Sequence, residues 1–271
     1  MAKAQSLHPS GFGQTSRRDD WWLQPAVTFT VLSVFLVYAT WAAFQGKNYF
    51  VGTHYLSPFY SPEVFGDSPH AFFGPKPGWW PGWLPFSPAL IILPFPAFFR
   101  FTCYYYRGAY YKAFWADPPA CAVGEPRKAY RSENKWPMRF QNIHRYVLFF
   151  AIFLLAALWR DVWMSFHFEP AFYIGLRPPD QFGIGVGSIV ILVNTAMLTL
   201  YTFSCHTFRF LVGGRKNCLS QNKAQFACYS CVTGLNKKHM VFAWASLFSV
   251  MFADLYVRLV ASGVWTDWRI V

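Results

Sequence analysis

Cysteine and histidine side chains carry most of the chemistry open to this sequence, and they gather at a few places. Cys103 closes an apolar run, and Cys121 follows it in ADPPACAVGEP. His144 opens the next run in QNIHRY, Cys205 and His206 close another in YTFSCHTFR, and His239 opens the last in NKKHM. Thiolate and imidazole together suit three groups. Zinc accepts a Cys₂His₂ set. A b-type haem wants two histidines facing each other, and a Rieske-type [2Fe–2S] centre wants two Cys on one iron and two His on the other. The soluble spacing C-x-H…C-x-x-H is absent, so spacing alone leaves the three open. Adjacent Cys205 and His206 would project about 100° apart on a helix, so one of the pair is expected to be a bystander. A second thiol group, Cys218 and then Cys228-Tyr-Ser-Cys231, makes an incomplete zinc set unless His239 joins it. It reads as reduced thiols.

Charges inside apolar runs are the other chemically suggestive feature. Asp254 and Arg258 stand at i, i+4 within MVFAWASLFSVMFADLYVRLV. An ionisable group in lipid is a functional hypothesis by default. The same spacing also allows a neutralising intrahelical pair, which is the preferred reading. Arg100, shortly before Cys103, could face a cofactor or extend toward the membrane surface.

These residues need elements to hold them. Of 271 residues, 54% are hydrophobic, 21% are aromatic and only 13% are charged, yet the net charge is +12. Soluble domains carry about 25% charged residues, and disordered chains are poor in apolar ones. The composition therefore excludes both, and six Cys are too sparse for a secreted disulfide scaffold. Runs of roughly 20 apolar residues span a bilayer as helices. Five segments qualify: Pro25–Phe44, Ser87–Tyr106, Ile143–Trp163, Gly183–His206 and His239–Val260. Pro94 and Pro96 should kink the second. The expected fold is an all-α integral membrane bundle of five helices. A tail (1–24) precedes a transmembrane domain (25–260), and a short tail (261–271) follows. Polar residues 1–20 leave no expectation of a cleaved signal.

The basic residues crowd on one side: Lys3, Arg17 and Arg18 in the first tail, and most of the others in loops 107–142 and 207–238. The opposite side has Lys47, Lys76, Arg177 and Arg269. The positive-inside rule then puts the N-terminus and those two loops in the cytoplasm. The Cys/His layer shares that side, whereas the Pro-, Gly- and aromatic-rich loop 45–86 is read as a compact cap on the outer surface. Disulfides are not expected in a reducing compartment. The inner loops are too short to bury a core of their own, and no internal repeat, phosphate loop or nucleic-acid footprint is evident.

The run FRFTCYYYRGAYYKAFWADPPACAVGEP (Phe99–Pro126), with QNIHRY, YTFSCHTFRFLVGGRK and LNKKHMVFAWASL, resembles the membrane-anchor subunit of bacterial succinate dehydrogenase or fumarate reductase, in its single-chain five-helix actinobacterial type. The resemblance covers nearly all of the chain from Trp21 onward. It implies a multi-pass protein of the bacterial cytoplasmic membrane that seats an iron–sulfur subunit and a flavoprotein subunit with FAD. Electrons from those cofactors would pass to a membrane quinone, expected to be menaquinone. The chain would be a component of an enzyme while doing no chemistry on succinate itself. Diheme anchors place histidines in both halves of the membrane. Here His54, His70 and His167 fall in loops or at an edge, which argues against an outer haem. The reading favours a Rieske-like [2Fe–2S] centre, with haem b as the alternative. Its thiols would be Cys103 and Cys121, with Cys205 in reserve, and its imidazoles would come from His144, His206 and His239. Quinone would meet residues such as Tyr105, Tyr106, Arg107, Trp115, Arg145 and Trp244. Competing readings are a haem b-only anchor of another respiratory complex and a small multi-span transporter built on Asp254 and Arg258.

Overall fold

A computed structural model describes residues 11–127, 138–168, 181–214, 216, 218–219 and 222–271. Almost every regular element is helical. In chain order they are α1 (Leu23–Gln45), the hairpin β1 (Phe50–Val51) and β2 (Tyr55–Leu56), α2 (Pro88–Ile92), α3 (Pro94–Thr102) and α4 (Tyr104–Ala113). Then come α5 (His144–Ser165), the hairpin β3 (His167–Phe168) and β4 (Gln181–Phe182), α6 (Val186–Phe203), α7 (His206–Val212), α8 (Lys223–Asn236) and α9 (His239–Ala261). A 3₁₀ turn, Met138–Ile143, leads into α5.

The span from Arg139 to Ser165, together with α1, α6 and α9, is long and apolar enough to cross a membrane. The second expected span, Ser87–Tyr106, has a different form. Proline has no N–H to continue a helix, so the chain breaks at Leu93 and restarts with Pro94 as the first residue of α3. The span then ends at Thr102, short of the expected Tyr106, and the chain bends by 77° into α4. The fourth span likewise ends at Phe203, not at His206.

The chain divides into two compact units. The first comprises Met1–Val37 and Arg100–His144. Here the segment before α1 is tied down. Gly13 N donates to Gly124 O (3.0 Å), Gly124 N to Gln14 O (2.8 Å), and the Arg17 guanidinium to Cys121 O (2.9 Å). A Cβ on Gly124 would lie 1.9 Å from Gly11 O, so only glycine permits this approach. Farther on, Phe29 of α1 packs against Phe114 at 4.8 Å.

The second unit comprises Tyr38–Phe99 and Arg145–Val271. Its main helix pairing is α6 against α9, with Ala243, Ser246 and Ala253 fully buried, the small residues that let membrane helices approach. Loop 45–86, expected as a cap, buries several of its aromatics. Tyr55 and Tyr60 are wholly buried, and Tyr49 stacks on Tyr60 at 4.2 Å. Phe73, Trp79 and Trp83 remain exposed.

The cap is fastened to α9 by the intramembrane charges. Asp254 accepts from Arg258 Nε (2.7 Å), Tyr38 Oη (2.7 Å) and Ser57 Oγ. Arg258 donates to Lys47 O and Ala42 O, both at 3.1 Å, and Tyr60 Oη donates to Ala42 O (2.8 Å). The pair is fully buried and hydrogen-bonded on both sides, as a buried ion pair must be. It is the intrahelical pair that its spacing suggests. At the far end of α9, Asp267 accepts from Tyr55 Oη (2.7 Å), Tyr256 Oη (2.6 Å) and Gly187 N (2.9 Å), so residues 265–271 strap the start of α6.

Candidate functional site

Each unit builds one helix break at which a hydroxyl residue precedes a buried cysteine, and the two follow the same local pattern. In the first unit, α3 ends at Thr102, and Cys103 caps the start of α4 with an extended ψ of 131°. In the second, α6 ends at Phe203, Ser204 follows, and Cys205 caps α7 with a ψ of 141°. A residue in extended conformation cannot continue a helix, so both cysteines sit at a break where a helix end exposes backbone and a side chain can turn inward. Both are buried, at 1% and 3% exposure.

The hydroxyl before each cysteine engages a histidine that opens a later span. Thr102 Oγ1 lies 2.9 Å from His144 Nδ1, and Ser204 Oγ lies 2.8 Å from His239 Nδ1. His144 is buried, and the His239 ring stacks on Tyr201 at 5.2 Å. Fixing Nδ1 sets the ring orientation and makes Nε2 the nitrogen that would ligate, which is how polar neighbours prepare a metal-binding imidazole. Thr102 and Ser204 are absent from the expected site residues. The signal for them was local, a hydroxyl residue directly before the cysteine at the end of an apolar run.

The other expected ligands are placed differently. His206 is exposed at the first turn of α7, whereas its neighbour Cys205 is buried. Cys121 is exposed in the loop tied to Arg17. Among the described residues, no three of His, Cys, Asp and Glu gather closely enough to hold a metal ion.

The expected quinone-facing residues also separate. In the first unit, Tyr106 is fully buried, and its hydroxyl accepts from Arg100 Nη1 at 2.7 Å. Tyr110 stacks beside it at 6.2 Å, and Tyr105 lies 5.5 Å away. Arg107 is buried with its guanidinium 4.0 Å from the Tyr104 ring centre, a cation–π contact. Trp115, half-buried, meets Tyr111 edge-on at 5.6 Å. In the second unit, Arg145 is exposed beside Tyr146, and Trp244 is half-buried near Phe248. A further acid–base pair, Asp117 with Arg127 at 3.3 Å, closes the loop after α4.

Comparison with known proteins adds a different kind of information. Residues 23–263 match the family described as actinobacterial succinate dehydrogenase subunit SdhC. A chain of the solved Mycobacterium smegmatis Sdh1 complex in the apo form is 38% identical, with a TM-score of 0.86. The alignment covers 100% of this chain and 98% of that one. No protein of curated function matches.

Proposed function

The chain belongs to the family of actinobacterial succinate dehydrogenase subunit SdhC, and from that premise we propose that it passes electrons arriving from its partner subunits to a membrane quinone. It is the multi-pass membrane anchor of a succinate dehydrogenase in the bacterial inner membrane, where flavoprotein and iron–sulfur subunits are its partners. Oxidation of succinate belongs to those partners. Work in this chain is confined to seating them, binding quinone and relaying charge.

We assign the N-terminus and loops 107–142 and 207–238 to the cytoplasmic side, where their Lys and Arg residues would also meet a soluble partner. On that side stand both hydroxyl–Cys–His arrangements. The observation that carries the assignment is their recurrence: a buried thiol at a helix break, next to a hydroxyl that orients an imidazole. On a Rieske-like reading, the candidate ligands are Cys103 and His144 within the first unit and Cys205 and His239 within the second, each taken by itself and ahead of exposed Cys121 and His206. Such a centre supplies one-electron transfer when present.

Quinone reduction needs donors for two carbonyl oxygens, two protons and an apolar slot. Tyr106 and Arg107, buried on α4, are the donors best placed to meet a ring, and Arg100 holds the Tyr106 hydroxyl in position. Tyr105 and Trp115 would line the slot.

The test is iron analysis with low-temperature EPR on the purified complex. Replacing Cys103, Cys205, His144 or His239 should remove a low-average-g signal and its iron, whereas C121S and H206A should keep both. Sharp reduced α-bands would replace the iron–sulfur reading with haem b. Unchanged iron in all four variants would refute the ligand assignment.

A further inference from the structure

We propose that Cys228 and Cys231 form a surface dithiol on α8 that closes reversibly to an intrahelical disulfide. Both thiols are exposed and in no disulfide, which is unusual for a residue type that is ordinarily buried. They lie one turn apart, on the flank of α8 away from its packing contacts. The packed flank is defined by other residues. Gln225 Nε2 donates to Val212 O (3.0 Å), Asn236 Nδ2 to Ser204 O (2.7 Å), and Val232 is buried. The two sulfurs therefore share one accessible face.

Helix geometry places the Cα atoms of residues i and i+3 about 5 Å apart. Disulfides accept Cα separations of roughly 4.4–6.8 Å. The Cβ atoms, at about 5–6 Å in a helix, must close by about 1–2 Å. The bond can thus form only with local tightening of one turn, and a strained, exposed disulfide of this kind is readily reduced. This property suits a transient bond in a reducing compartment and not a structural staple.

The chemistry needs a small-molecule disulfide as oxidant. One cysteine thiolate attacks a sulfur of that disulfide, forming a mixed disulfide and releasing one small thiol. The second thiolate then attacks the protein sulfur and releases the other. Two protein thiols become one disulfide, one small disulfide becomes two thiols, and the two protons leave with the products.

The turn that tightens is also structural. Tyr229, between the two cysteines, lies under the Arg209 guanidinium at 4.8 Å, and Thr233 Oγ1 accepts from Arg209 Nε at 2.9 Å. These contacts hold α7, which begins directly after Cys205. Oxidation should therefore loosen α7.

The experiment treats the intact detergent-solubilised complex with oxidised glutathione, then alkylates and digests it with trypsin. Cleavage at Lys223 and Lys237 yields a peptide whose only cysteines are these two. We expect that peptide to resist alkylation, to be lighter by two hydrogens and to recover with dithiothreitol. C228S and C231S should each abolish the effect, whereas C218S should leave it unchanged. Hydrogen exchange in residues 206–212 should rise on oxidation. Continued alkylation of both thiols after oxidant, pairing with Cys218, or failure of both to react with maleimide in the untreated complex would overturn the proposal. These readouts follow thiol chemistry alone and hold whether or not the chain carries electrons.

Discussion

At the residue scale, the informative groups are the two hydroxyls that engage histidines. Thr102 and His144 are 42 residues apart, and Ser204 and His239 are 35 apart, so neither pairing could be read from local spacing. The cysteines and histidines themselves were legible, because their side-chain chemistry and their positions at the ends of apolar runs need no fold. Which of them are buried was not legible: Cys205 and His206 are adjacent at the end of one apolar run, yet Cys205 is enclosed and His206 exposed. If the hydroxyls orient ligands, Thr102→Val should leave subunit stoichiometry intact while lowering bound iron or quinone reductase activity about 10- to 100-fold, the usual effect of removing such a partner. Ser204→Ala should act in the same direction. Unaltered iron per complex in both variants would reduce these hydroxyls to helix-end packing.

At the scale of elements, α9 and the cap behave as one piece. Asp254→Asn keeps the shape but strips Arg258 of its counter-charge in a buried site, which should cost roughly 3–5 kcal/mol. A clear fall in the thermal midpoint of the complex is the expected reading. The cap has a second titratable feature. His70 is buried, with its Nε2 lacking a hydrogen-bond partner, and desolvation, with Arg160 and His54 nearby, pushes its pKa down to about 4. An unfolded histidine titrates near 6.5, so the cap loses stability as pH falls from about 6.5 to about 4, by up to about 3 kcal/mol at the lower end. Buried Glu63 opposes this. Desolvation raises its pKa, so its protonation on acidification favours the folded cap. Fluorescence of Trp79 and Trp80 against pH should show an acid step that His70→Leu removes, and an identical step in that variant would clear His70 of the role. Apolar run length made the spans visible, but it overran their ends. The YYY after Cys103 is apolar enough to extend a span, and only the extended backbone at Cys103 stops it.

At the scale of the whole molecule, composition revealed the membrane class, because a chain this apolar cannot coat itself with charge. It did not reveal that the segment before α1, read as a separate tail, is hydrogen-bonded to the loop around Gly124. The contacts end on backbone carbonyls and amides of residues 121–124, more than 100 positions away in the chain, so local pattern does not announce them. The proposed orientation rests on the asymmetry of Lys and Arg. An epitope fused before residue 1 should resist protease added to spheroplasts, whereas one fused after residue 271 should be cleaved. The reverse pattern would invert the bundle and move both Cys/His arrangements to the outer side.

The Asp254–Arg258 pair has one more consequence, for a respiring membrane. An elementary charge carried across a bilayer feels about 2.3 kcal/mol per 100 mV. This pair has no net charge, and its opposite charges are separated by only 2.7 Å. Against a hydrocarbon thickness of about 30 Å, the field can act on it by about 0.2 kcal/mol per 100 mV, below thermal energy. The only buried ion pair of α9 among the described residues is therefore almost blind to membrane potential, and energising the membrane should leave the junction of cap and bundle unmoved.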